Sequence, residues 1–265
     1  MPLDYEKKGD IAWFTIRNGS VNPMTPAMHK QFYEALIDFQ ADETIRVGIL
    51  TGAGERAFSA GDDIKTPYRK FDTPGDELAA HLWPKHRTME EPDTFAWSRD
   101  VQTMDRYKPI VGAVKGYCLG QGMIYLLLLT DIRIASEDAQ FGFPEIAYGM
   151  GGAGGSSRLS RQIPHTAAMW MLLTGDPMSA AEAERVHLVN KVVPKDQVLA
   201  EAEAVARKIA RHPPLAVRIE MEAYYRGMDQ TKLEALNTVK HLYRMQRLAY
   251  SGTERVSEFM YKKKG

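Results

Sequence analysis

The chain has 265 residues, 44% apolar and 26% charged, with 34 lysines and arginines against 34 aspartates and glutamates. That length buries a substantial core, as one large domain or a main domain with an appendage, and the zero net charge gives no electrostatic case for nucleic acid or an anionic membrane, so an anionic ligand needs a local cluster of positive charge. The single cysteine, Cys118, excludes an internal disulfide framework, while a start without signal-peptide layout and a longest apolar run (123–129) too short for a bilayer predict a soluble, cytoplasmic protein.

In chain order, residues 3–7 and 11–16 flank a Gly9-Asp10 turn and read as a hairpin. Thr25-Pro26 is a helix start, a capping hydroxyl before proline at the first helical position, and the helix runs to about Gln40. Short apolar strands follow at 47–51, 110–114 and 132–135. The first closes at Gly52, the second at Gly116 with a helix from about Gly120, and the third leads towards Phe141. Short apolar strands separated by helices predict βαβ units and a largely parallel core. Residues 66–108 are polar, aromatic-rich and broken by Pro74, Pro84 and Pro92, which predicts short helices or a flap. From about Gly154 the chain reads as helix, at 196–211, 215–227 and 229–249 and again after Gly252, with one strand at 188–193 closed by Pro194.

Three glycine-rich segments fall where strands give way to helices: AFSAGDDIK at 57–65, GYCLGQG at 116–122 and GMGGAGG at 149–155. Glycine permits tight turns and close approach by a ligand, and a helix N-terminus offers unpaired N–H groups with a partial positive charge. Two such turns facing one another make an oxyanion hole built of backbone donors; any one of them alone is as well explained as a plain connection. The pattern is neither a dinucleotide fingerprint nor a phosphate loop. The histidines lack metal-ligand spacing, and Asp62-Asp63 lacks the further acidic residues of a magnesium or calcium site. No G-x-S-x-G is present, and packing is the plainer role for Cys118. Glu145, a lone carboxylate among aromatic and aliphatic neighbours in FGFPEIAY, suits proton transfer because desolvation raises its pKa; a structural ion pair to Arg158 or Arg161 is the alternative.

Together these segments resemble the crotonase superfamily, the enoyl-CoA hydratase/isomerase family. The resemblance is carried by VNPM at 21–24, AFSAGDDIK, GYCLGQG, DIRIA at 131–135, AQFG and PEI at 139–146, GGAGG with Arg158-Leu159, LTG at 173–175, LVNKVV at 188–193 and FMYK at 259–262. It implies an α/β fold, a ββα spiral core over 1–195 with a helical C-terminal trimerisation region over 196–265. It implies an acyl-CoA thioester as substrate, coenzyme A entering as part of that substrate with no separate cofactor or metal, and a homotrimer or a hexamer built as a dimer of trimers. By motif position the thioester oxygen accepts from the backbone N–H groups of Asp62 and Gln121, and Glu145 is the general acid/base. Ala60, Ile64 and Lys65 lie along the CoA, with Phe259 and Lys262 at its nucleotide end; a solvated basic tail is the plainer reading of the last residues.

Two departures from the family matter. A second glutamate belongs in the helix after GYCLGQG, yet its position falls on Ile124 or Tyr125. Single-acid chemistry, as in a double-bond isomerase or a hydratase-lyase, therefore fits alongside hydration, as does a catalytically weak member serving as a binding or assembly protein. Helpers could come from Tyr68, His81, His86, Glu90, Glu91, Trp97 or Arg99, mostly expected at the surface. The other departure is Asp62 itself: a charged carboxylate aimed at an enolate 4 Å away would repel it by about 4 kcal/mol at an effective dielectric near 20. Asp62 is thus expected to point away, pair with a cation or carry a proton.

Overall fold

The computed structural model describes residues 2–66, 71–82, 96–151 and 156–250. They form two units, one up to Lys208 and one from Ile209 onward. The first opens with the hairpin β1 (Leu3–Lys8) and β2 (Ile11–Ile16), then α1 (Pro26–Ala41), β3 (Val47–Gly52), β4 (Ala57–Ser59), α2 (Pro74–Leu82) and α3 (Ala96–Thr103). It continues with β5 (Ile110–Val114), β6 (Tyr117–Leu119), α4 (Gln121–Leu129), β7 (Ile132–Ser136), β8 (Gln140–Gly142) and a 3-10 turn over Pro144–Tyr148. The short α5 (Ser156–Leu159), α6 (His165–Thr174), β9 (Met178–Ser179), α7 (Ala180–Arg185), β10 (Lys191–Val193) and α8 (Val198–Ala210) complete the order, and the boundary between units falls within α8. The second unit carries α9 (Pro214–Gly227) and α10 (Lys232–Tyr250), which pack on each other.

The six-stranded sheet has the order β1-β2-β3-β5-β7-β10 and is parallel except for the β1–β2 hairpin. All residues of β3 and β5 are buried, as expected where both faces of a parallel sheet are covered. On α1 the sequence places Met28, Phe32, Leu36 and Phe39 three or four residues apart. They enter one apolar cluster with Phe14, Leu50, Tyr125 and Leu126, and Phe39 meets Phe14 edge-on at 5.4 Å. Each such aromatic or leucine stabilises the fold by roughly 1.5–3 kcal/mol.

A second sheet, β4-β6-β8-β9, is not evident in the sequence. Each of β3, β5 and β7 is followed within a few residues by β4, β6 and β8, so the unit that repeats is strand, strand, then a helix or helical turn. Gly116 makes one crossing possible: at φ 60° it lies so close to the preceding unit that a Cβ would stand 2.0 Å from the Arg56 carbonyl oxygen. Two further differences from the sequence expectation have local causes. The strand expected at 188–193 is confined to 191–193 because the N–H groups of Leu188 and Val189 turn back to the Ala183 carbonyl at the end of α7. The region after 154 also contains β9, whose two residues pair antiparallel with β8. The helix expected after Gly252 lies outside the described residues, and no helix among those described is long and apolar enough to cross a membrane.

Candidate active site

The small sheet positions the site. β4, β6 and β8 are parallel neighbours, so the chain leaves all three at the same edge, where open α/β sheets present their ligands. Those exits carry 60–63, 120–121 and 144–145.

At the first exit the backbone is fixed from both sides. The buried Ser59 hydroxyl donates to the Asn22 carbonyl at 2.8 Å and accepts from Gly61 N–H at 3.2 Å. Asn22, also buried, donates through Nδ2 to the carbonyls of Ala53 and Ala57. Met24 bridges Asp62 in parallel fashion, its N–H donating to the Gly61 carbonyl and its carbonyl accepting from Asp63 N–H, both at 2.8 Å. Strand geometry then turns the Asp62 N–H to the side opposite Met24. The second exit lies against this one: a Cβ on Gly61 would stand 3.4 Å from Gln121 N. Gln121 is the first residue of α4, after Gly120 in the N-cap at φ 53°, so its N–H belongs to the turn that has no acceptor within the helix.

Glu145 arrives from the third exit on the 3-10 turn begun by Pro144. Its Oε1 occupies the space where Gly120 has no side chain, 2.3 Å from an ideal Cβ there. Any other residue at 120 would displace the carboxyl. Its Oε2 and the Gln121 Nε2 are buried without a hydrogen-bond partner among the described residues. Buried polar atoms are nearly always hydrogen bonded, so each of these calls for an explanation, a catalytic role among them. Burial pushes the Glu145 carboxyl above the ordinary glutamate range, opposed in part by its own backbone N–H, with the charge of Asp62 a lesser upward contribution. Among the described residues nothing pairs with Glu145 Oε2, so the ion pair to Arg158 or Arg161, the alternative from sequence, does not reach that oxygen.

The two aspartates divide. Asp63 closes its own turn, Oδ1 accepting from Lys65 N–H at 3.0 Å and Oδ2 from the Thr66 hydroxyl at 2.8 Å, which holds its carboxyl below the usual range. Asp62 meets a cation-capable partner, its Oδ1 lying 3.1 Å from His29 Nε2. His29 Nδ1 is in turn 2.6 Å from the Tyr125 hydroxyl. His29 was not among the sequence candidates; its one signal is a titratable side chain on the apolar face of α1, between Met28 and Phe32. Tyr125, for which the sequence allows a hydrogen-bond donor and, more plainly, a place on an apolar helix face, is both fully buried and hydrogen bonded.

Ala60, Ile64 and Lys65 follow the first exit and are exposed, Ile64 to 91%. Phe259 and Lys262 lie outside the described residues, as do Tyr68, His86, Glu90, Glu91 and the side chain of His81. Of the possible helpers, mostly expected at the surface, Trp97 is 2% exposed and packs against Tyr33. Arg99 is exposed. Cys118 is fully buried and burial pushes its thiol far up, which suits packing and not nucleophilic attack. Among the described residues no group of three or more His, Cys, Asp or Glu is placed to hold a metal ion.

The chain matches known proteins over nearly its whole length. A family model described as Enoyl-CoA hydratase/isomerase matches residues 6–264. The chain is 35% identical to an (E)-benzylidenesuccinyl-CoA hydratase of Thauera aromatica over 235 residues, 86% of this chain and 84% of the relative. It is 33% identical to a 2,3-dehydroadipyl-CoA hydratase of Escherichia coli, covering 93% and 90% of the two. An enoyl-CoA hydratase structure from Mycobacterium smegmatis superposes with a TM-score of 0.84 at 27% identity, covering 99% of this chain and 97% of that one.

The displaced pKa of Glu145 has a thermodynamic consequence. Its carboxyl is raised above the ordinary 4.5, so folding carries no charge penalty there below that value, and stability is lost as pH rises through the raised folded value. Glu145→Gln has no charge to desolvate. It should melt higher than the wild type by on the order of 1 °C at about pH 7.5, with the difference vanishing towards about pH 4. Scanning calorimetry at both pH values checks this; a variant less stable at high pH contradicts it.

Proposed function

Since the chain belongs to the enoyl-CoA hydratase/isomerase family and is an enzyme of that type, we propose that it adds water to a 2-enoyl-CoA through a thioester enolate, with Glu145 as the acid that protonates Cα. In this reading the thioester carbonyl accepts from Asp62 N–H and Gln121 N–H. Addition at Cβ moves the π electrons onto the thioester, and the resulting oxyanion sits between two fixed donors at the N-terminus of α4, where the helix dipole also favours negative charge. One donor of this kind contributes roughly 3–4 kcal/mol to the transition state. Both are backbone groups, so the Asp62 and Gln121 side chains are free for other roles.

The observation that carries the reading is the Glu145 carboxyl seated over Gly120, beside Gly61, with one buried oxygen unpartnered. A carboxyl raised by burial favours its protonated form, and that proton can pass to the carbon next to the thioester. The CoA moiety runs along Ala60, Ile64 and Lys65, where the exposed Ile64 offers apolar contact and Lys65 the local positive charge that the neutral composition lacks; CoA comes as part of the substrate. Glu145→Gln should lower kcat by about 10²–10⁴-fold with a much smaller change in KM. The assay is turnover of crotonyl-CoA, a 3-enoyl-CoA and an aromatic enoyl-CoA with product analysis. A 3-hydroxyacyl product supports hydration; a moved double bond alone assigns isomerisation, which Glu145 could perform unaided; a shortened chain assigns a hydratase-lyase. Unchanged turnover of every accepted thioester in the variant removes Glu145 from the chemistry.

The same reading includes a homotrimer or a dimer of trimers. The unit from Ile209 onward exposes Tyr224, Leu233, Leu236 and Met245 on α9 and α10, more apolar surface than two helices keep in water without a partner. Sedimentation should show a trimer or hexamer, and a stable monomer at micromolar concentration contradicts it.

A further inference from the structure

The Asp62 N–H and the Asp62 carboxylate serve different ends. At a position needed for its backbone donor any residue would do, yet this one is tied into the core. The Asp62 side chain is 40% exposed, while His29 beside it is fully buried, and so is Tyr125 beyond. Since the carboxylate can only accept, the Nε2 of His29 carries the hydrogen between them. The Tyr125 hydroxyl donates to Nδ1 of a neutral ring or accepts from Nδ1–H of an imidazolium. In both states Oδ1 of Asp62 is held, and Oδ2 has no hydrogen bond among the described residues. Placing a histidine at zero exposure with both nitrogens engaged is a large polar investment in a core, and it ends on a carboxylate near Glu145. It also fills a gap, since Ile124 and Tyr125 stand where a second carboxylate belongs on α4, and Tyr125 is the residue that joins the chain of hydrogen bonds.

We propose that the Asp62 carboxylate, positioned by His29 and Tyr125, is the second acid–base group of the reaction, the base that takes a proton from the attacking water. This rests on the hydration reading above. One water O–H bond breaks and its proton goes to Asp62, while the water oxygen bonds to Cβ. The Cα–Cβ π pair shifts to form the enolate, whose charge rests on the thioester oxygen. The enolate then takes the proton of Glu145 at Cα. Asp62 has gained one proton and Glu145 lost one, and exchange with bulk water restores both. The direction follows from the surroundings, because burial raises the Glu145 carboxyl above its ordinary range and so favours its protonated form relative to an ordinary carboxylate. Charge balance favours the scheme as well. An ionised Asp62 facing an enolate repels it, whereas protonation by the water neutralises Asp62 as the enolate forms. The negative charge moves across the site instead of doubling.

The test separates the two carboxyl groups. Exchange of the α-protons of butyryl-CoA in D2O, followed by NMR, needs the backbone donors and Glu145; hydration of crotonyl-CoA needs Asp62 too. Asp62→Asn should lose about 100-fold or more in hydration, in kcat rather than KM, and less than about tenfold in exchange. Retained exchange also shows that its site is folded. His29→Gln keeps an N–H donor for Asp62 and should lose less hydration than His29→Leu. Glu145→Gln should lose both reactions. Hydration by Asp62→Asn within about threefold of the wild type, with Glu145→Gln inactive, overturns this proposal alone. Equal loss of both reactions in Asp62→Asn and in His29→Gln overturns it too, reducing the trio to a structural brace. Full activity of Glu145→Gln overturns the reading underneath.

Discussion

Three strands of three residues each, β4, β6 and β8, hold the site together through parallel pairing. Because they run side by side in one direction, the residues that follow them emerge at one edge, and groups more than eighty residues apart in the chain become neighbours. The contact that results is tighter than side chains allow: the Glu145 carboxyl occupies the place of a Cβ on Gly120, and Gly61 lies against the backbone of Gln121. The glycines matter here for the volume they leave open, and the left-handed φ at Gly120 is the conformation in which the chain turns from β6 into α4.

Within that frame electrostatics sorts three neighbouring carboxylates into three roles. Asp63 satisfies its own turn and is spent structurally. Asp62 is held by a buried histidine. Glu145 has one buried oxygen without a hydrogen-bond partner among the described residues, and burial raises its carboxyl. The paired aspartates are thus one turn-former and one member of a buried polar chain.

Much of this could be seen in the sequence, for definite reasons. The hairpin, α1 and the apolar strands of the large sheet are long enough for periodicity and capping residues to show. The glycine turns and Glu145 stand out because glycine clusters and a carboxylate in apolar company are unusual locally. The second sheet does not show: strands of two or three residues carry no measurable alternation, and their pairing is wholly non-local. His29 is hidden for a related reason. It reads as one polar residue on an amphipathic helix, and its meaning comes from Tyr125 and Asp62, 96 and 33 residues away. Likewise Leu188 and Val189 look like strand residues and instead close the end of α7, a choice made by a backbone acceptor the sequence does not display.

The account rests on one thioester oxygen meeting two main-chain donors with an acid beside it. A crystal structure with an unreactive saturated acyl-CoA bound is the most direct measurement. It should show the thioester oxygen about 3 Å from both Asp62 N and Gln121 N, with Cα facing the Glu145 carboxyl. A thioester seated elsewhere, or one whose oxygen meets neither amide, would contradict it.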